Sequence, residues 1–245
     1  MSTPSRLPRF WLITAAALVG IGVTLSLGRW QLDRAAQKEA LQATVEGKKV
    51  LGVLDNRSFF AIKSIVNEVY RPARLQGRWL PQHTVFLDNR QMNGRPGFYV
   101  VTPFRLEGGA ASVPAVLLVQ RGWVPRHFLD RTQLPAVDTP AGLVTVEGRI
   151  APAPSQLYAF KGADTGPIRQ NLGLAAFGDE IRQPLLPVTV LQTGPGGDGL
   201  QREWPQANAG TDKHYGYAFQ WFGLSGLMAI LYVWFQFVRP RRLPR

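Results

Sequence analysis

The chain has 245 residues, a formal net charge of +12 and no cysteine. That length holds one domain of ordinary size plus anchoring segments, and the missing thiols exclude disulfides, thiolate catalysis and cysteine-ligated metals. The basicity does not point to nucleic acid: there is no helix-turn-helix pattern, zinc spacing or long basic helix. Six of the positive charges (Arg6, Arg9, Arg239, Arg241, Arg242 and Arg245) lie outside two long apolar runs.

The first run, Phe10 to Leu27, reads FWLITAAALVGIGVTLSL without a charge. At about 1.5 Å per residue it just spans a hydrocarbon slab of about 30 Å. A cleavable signal peptide is the rival reading. The run is longer than a usual signal core, and GRWQLDR follows in place of a small-x-small cleavage site, so an uncleaved anchor over residues 10–28 is expected. GRWQLDRAAQKEALQA, Gly28 to Ala43, is rich in helix formers and should continue that helix out of the bilayer to about residue 43. Trp30 then falls at headgroup level, where its ring and N–H are both accommodated. Ala16, Gly20, Thr24 and Gly28 recur every four residues, a small-residue ridge suited to close contact with another span.

Residues 44–213 read as a β-rich domain. SFFAIKSIVNEV, within 56–69, fits either an amphipathic helix or a strand pair. Six runs then carry strand signals: ARLQGRWL, TVFLDNR, GFYVVTPFRL, VPAVLLVQRGWV, LVTVEGRI and PLLPVTVLQ. Each is short and rich in β-branched or aromatic residues, with turn residues between them. Pro187 in the last argues for an edge position or a break at its start. NLGLAAF reads as a short helix, and GPGGDG from Gly194 as a turn cluster. The runs predict an antiparallel sheet that closes as a small barrel, which removes exposed edges. LQGRW resembles VEGRI, and LDNR occurs at both 54–57 and 87–90; neither match is long enough to establish a duplication.

The second span covers residues 214–238, and its 22 residues from Tyr217 to Val238 are uncharged. Gly216, Gly223 and Gly226 place small residues on it. The tail 239–245, RPRRLPR, is strongly basic, whereas Lys213 before the span is offset by Asp212. By the positive-inside rule both termini are cytoplasmic and the central domain is periplasmic, at a bacterial inner membrane.

No nucleophile elbow, phosphate loop or paired-histidine motif appears, so nothing indicates an enzyme. His83 and His127 read as solvated loop residues. His214 stands at the mouth of the second span, with Tyr217 and Trp221 three and seven residues on and therefore on about the same helical side. A histidine there reads either as an interfacial belt residue or as an axial ligand to heme iron packed by the two rings.

GRWQLDRAAQKEAL, RPARLQGRWL, VFLDNR, GFYVVTPF, VLLVQRGWVP, VEGRI and KHYGYAFQWF, in this order between two terminal spans, resemble the surfeit-locus family of cytochrome c oxidase assembly proteins. The resemblance covers nearly the whole chain. It implies two transmembrane helices around an external domain, and a non-enzymatic role in delivering heme a to oxidase subunit I. On it, His214 matches the family's proposed heme a ligand, with Tyr217 and Trp221 as accompanying aromatics. Gly28, Trp30, Gln31 and Arg34 match the motif after the first span, and Gly122 and Trp123 the RGW turn. The partners implied are oxidase subunit I, heme a synthase and membrane lipid, with a homo-oligomer left open. The rival is a heme-free scaffold that escorts an oxidase subunit.

Reporter fusions test the topology. A fusion after Arg245 should report cytoplasm and one near Gly109 periplasm; a periplasmic signal from the C-terminal fusion would reverse the assignment.

Overall fold

A computed structural model describes residues 6–108, 115–130, 132–157, 165–194, 198–205 and 210–239, with side chains from residue 9 onward. The Arg-rich tail beyond Arg239, the side chain of Arg6 and residues 195–197 of the glycine cluster lie outside the described residues. The chain divides into a helical unit, Met1–Ala43 with Gln206–Arg245, and a central unit, Thr44–Pro205.

In the helical unit, no proline interrupts the chain between Pro8 and Pro72, and α1 runs unbroken over Arg6–Lys49. It ends on Lys48 and Lys49, basic residues that suit the negative end of a helix dipole. The other helix of this unit, Thr211–Val233, continues through a π turn, Trp234–Val238. Both are long and apolar enough to cross a membrane. Their outer faces leave Leu12, Leu18, Val19, Phe219 and Ile230 uncovered, as sides turned to lipid require.

The central unit contains all six expected strands: β1 (Pro72–Trp79), β2 (Val85–Met92), β3 (Arg95–Leu106), β4 (Val116–Pro125), β5 (Val144–Ala151) and, as the last, β7 (Leu185–Gln192). A two-residue strand, β6 (Ile168–Arg169), is added. NLGLAAF lies across the start of helix α3 (Leu174–Ile181). The ambiguous segment is helical: α2 (Asn56–Ala61) is followed by a 3-10 turn, Ile65–Glu68. Asp55 caps α2 by accepting from the Ser58 N–H at 2.8 Å. Hydrogen bonds from the Ser58 side chain and backbone hold the Asp55 carboxyl below its ordinary value. Thr211–Val233 is therefore α4.

The strands close on themselves. The order is β1-β5-β7-β4-β3, and β3 returns to β1, so five strands form a barrel with β2 and β6 extending from β3. The sheet is mixed and not wholly antiparallel as expected: β4–β7 and β2–β6 run parallel. Within the barrel one parallel contact is unavoidable: five strands closed in a ring cannot alternate in direction throughout, and the pair left parallel is β4–β7. Nor is β7 an edge strand. Pro187 sits where its register on β4 slips, between Val116↔Leu185 and Leu118↔Thr189, and ahead of its pairing with β5. The missing N–H thus falls at a bulge, where no ladder bond is lost.

Closure depends on strands changing partner within their own length. Gly77 of β1 pairs with both Val144 of β5 and Leu106 of β3. Gly148 of β5 pairs with both Ala73 of β1 and Gln192 of β7. A Cβ at Gly77 would stand 2.2 Å from the Arg105 carbonyl oxygen, and one at Gly148 2.3 Å from that of Leu191. The resemblance of LQGRW to VEGRI is therefore a shared role, the barrel corner. The two LDNR segments share none: the first caps α2, whereas in the second Asn89 takes a φ of 58° beside the register shift in β2.

Inside the barrel, Leu75, Phe104, Leu117, Val119, Val146, Ile150 and Val190 form the core that Phe59 of α2 covers. Leu118, on the opposite face of β4, packs with Val101, Phe177 and Ile181 beneath α3. β4 is buried on both faces, which explains its nearly continuous apolar run. Within that run Arg121 is almost wholly buried. Its guanidinium stacks 4.7 Å over Trp79 and donates to the Asp138 carbonyl and Thr139 hydroxyl, each at 2.6 Å. Burial pushes its pKa down while Asp198 pulls it up. The carboxylate of Asp198 also receives Arg202, so the buried charge is partnered, as it must be.

Gly77→Ala and Gly148→Ala should each destabilise the central unit by roughly 3 kcal/mol, because a backbone carbonyl stands in the new methyl's place. Gly52→Ala meets nothing within 4 Å and is the matched control. Thermal unfolding of the full chain in detergent checks this; equal melting of all three variants would remove the corner argument.

Candidate functional site

The residues singled out around His214 belong to the helical unit, so its helix pairing comes first. α1 and α4 run antiparallel, as a chain of contacts shows. Phe10 meets Phe237 edge to face at 6.3 Å, and Thr14 shares a 2.9 Å hydrogen bond with Tyr232. The Gly20 Cβ position lies 3.1 Å from the Met228 sulfur, and the Gly28 position 2.6 Å from the Phe222 ring. Thr24, Gly28 and Ala35 of α1 and Ala218 and Ser225 of α4 are buried. Spacings of four and seven keep them on one seam, and their small side chains let the backbones approach.

The expected ridge of α1 is thus largely the contact face, although Ala16 is exposed. The glycines of α4 are not its counterpart. Gly216, Gly223 and Gly226 meet nothing within 4 Å, and Ala218 and Ser225 serve instead. In the second span, serine and alanine are weaker sequence signals of close helix contact than glycine, although it is they that face α1.

Above this seam the polar residues converge. His214, in the first turn of α4, is half-buried, and its Nδ1 lies 2.7 Å from Oε1 of Gln31 on α1. A carbonyl oxygen only accepts, so the contact is a hydrogen bond when Nδ1 carries the proton, and in the neutral ring of that tautomer Nε2 keeps its lone pair. One residue on, Tyr215 donates to Glu39 of α1 at 2.8 Å. Tyr217 is half-exposed and Trp221 half-buried. The helix repeat places both on the side of His214, one and two turns along. Of the motif after the first span, Gly28 makes room for Phe222 and Gln31 holds His214, while Arg34 stacks 5.8 Å over Trp30. Gln31 as the partner of His214 could not be read from spacing, because 183 residues separate them.

The other histidines belong to the central unit. His83 ends a 3-10 turn, and exposed His127 accepts from the Asp130 N–H at 3.1 Å. Among the described residues no three His, Cys, Asp or Glu side chains converge as a metal site. Iron in a porphyrin needs no such cluster, since the macrocycle supplies four nitrogens and the protein an axial donor. The Nδ1–H tautomer of His214, on the same helical side as Tyr217 and Trp221, fits that requirement. Gly122 and Trp123 belong to the central unit: Gly122 lies against Leu200, and buried Trp123 donates to the Arg90 carbonyl at 2.9 Å.

A model of the SURF1 family matches residues 18–226. A SURF1-like protein of Rickettsia felis is 28% identical over 109 residues, 43% of each chain. One of Rickettsia bellii is 24% identical over 225 residues, 88% of this chain and 87% of that one. The cytochrome oxidase assembly protein SHY1 of Saccharomyces cerevisiae is 28% identical over 102 residues, 42% of this chain and 25% of that one. The chain therefore spans less than half of the first and third relatives and most of the second.

The helix pairing is testable in a chain that has no native thiol. With cysteines at Thr14 and Tyr232 joined by a short thiol-reactive reagent, Gly28→Leu should slow cross-linking by roughly 3- to 30-fold, the span of individual helix contacts in membranes. Gly22→Leu, which meets open space, should leave the rate unchanged. Equal rates in both variants would mean that Gly28 does not set the approach.

Proposed function

The chain belongs to the SURF1 family, and on that premise we propose that it is a cytochrome c oxidase assembly factor that binds heme a through His214 and helps deliver it to oxidase subunit I. The family match, and the printed role of the yeast relative in oxidase assembly, support the oxidase part of this reading. The observation that carries the heme part is the hydrogen bond between His214 and Gln31, which leaves Nε2 available. Heme a is cargo here and no reaction is assigned to the protein. His214 donates to the iron, Tyr217 and Trp221 cover apolar porphyrin surface, and exposed Lys213 extends toward a propionate. A single protein ligand leaves the second axial position for a receiving partner, which suits a carrier. Heme a synthase is the natural donor and subunit I the acceptor. By the positive-inside rule, the terminal arginines of the sequence support cytoplasmic termini and a periplasmic central domain.

A heme-free escort is the second reading, and the open glycine face of α4 favours it, because it leaves room for another membrane helix. The same experiment separates the two. Full-length protein purified from heme-a-producing cells should contain heme with a histidine-ligated absorption and resonance Raman spectrum. His214→Ala should retain at most a fraction, held by packing, and lose the histidine signature. Identical ligation bands in both proteins would exclude His214. Wild type without heme, in cells whose oxidase still depends on it, would leave the escort.

A further inference from the structure

We infer that Gln31 is a positioning residue for His214: its side-chain carbonyl selects the Nδ1–H tautomer, and as an uncharged acceptor it keeps Nε2 a moderate donor to iron. The inference rests on His214 being the heme ligand, but the tautomer itself is a property of the heme-free protein. Three observations carry it. The Nδ1 to Oε1 distance of 2.7 Å is that of a well-formed hydrogen bond. Both residues are half-buried, which shields the bond from competing water. The two side chains also sit on helices held close by their own packing at Gly28 and Gly20, and Tyr215 and Glu39 make a second polar tie beyond them.

The chemistry follows from the acceptor. Free imidazole favours the Nε2–H tautomer in water, in which Nε2 has no lone pair for a metal; an acceptor at Nδ1 reverses that preference. A carboxylate at this place would also pull the proton and push charge onto the ring, strengthening the bond to iron. A carboxamide orients without that push. The ligand is then ready to bind and also able to let go, which a delivery protein needs and a permanent heme protein does not.

Two measurements test this. In heme-free full-length protein labelled with ¹⁵N-histidine, only His83, His127 and His214 give signals, and His214→Ala identifies the third. At a pH where imidazole is neutral, His214 should show a protonated Nδ1 and an unprotonated Nε2. Gln31→Leu should lose that state and Gln31→Glu should retain it. In heme-loaded protein, Gln31→Glu should lower the iron midpoint potential and raise the iron–histidine stretching frequency relative to wild type, and slow heme release. Gln31→Leu should do the opposite. The Thr14–Tyr232 cross-link monitors helix pairing, so a variant that merely separates the helices is recognised. Nε2–H in the wild-type apoprotein overturns the inference. So does a potential and a stretching frequency unmoved by Gln31→Glu while His214 remains the ligand. If instead His214→Ala leaves ligation unchanged, the heme reading fails and the tautomer result stands on its own.

Discussion

The close approach of two membrane helices at Gly28 is the constraint on which the candidate site depends. A side chain there would occupy the space of the Phe222 ring, and the helices would separate or turn. Lipid offers no hydrophobic drive to push them together again, so contact must come from shape. Everything polar at the mouth of the pair is downstream of that fit. Gln31 lies three residues beyond Gly28, about one turn, and reaches His214 only because the seam below it is narrow.

The central unit solves a different problem with the same residue type. A five-stranded barrel is small, and its strands must bend sharply to reach partners on both sides. Gly77 and Gly148 stand where β1 and β5 change partner, each with a backbone carbonyl in the place of its missing Cβ. Closing the five strands pairs them on both sides, and packing beneath α3 covers the second face of β4. That double burial forces Arg121 into the interior, where an aromatic ring, two carbonyl or hydroxyl acceptors and Asp198 meet it. Arg90 follows the same pattern, stacked on Tyr99 and donating to the carbonyls of Ser155 and Gln170. These buried cations are architectural, since their donors are turned to the fold's own backbone.

The two units hold different kinds of side chain. The helical pair holds His214, its partner Gln31, and Tyr217 and Trp221 on the same helical side. The barrel's described residues bring no three His, Cys, Asp or Glu side chains together as a metal site.

Elements whose cause is local can be read directly from the amino-acid sequence. Uncharged runs long enough to span a bilayer, alternating strands and turn residues report on their own surroundings, so the two spans, six strands and the short helix were legible. His214 was legible as a candidate for the same reason, a histidine beside rings at the end of an apolar run. The parallel β4–β7 pair, the return of β3 to β1 and the bulge that absorbs Pro187 were decided only by tertiary structure, because strand direction and partner depend on chain paths between distant segments. The choice of Ala218 and Ser225 over the glycines of α4 was likewise tertiary, since a helix's small residues do not say which side another helix takes. The hydrogen bond from His214 to Gln31 belongs to this second group: it joins residues 183 apart, and only the packing of one helix on the other brings an acceptor to that ring nitrogen.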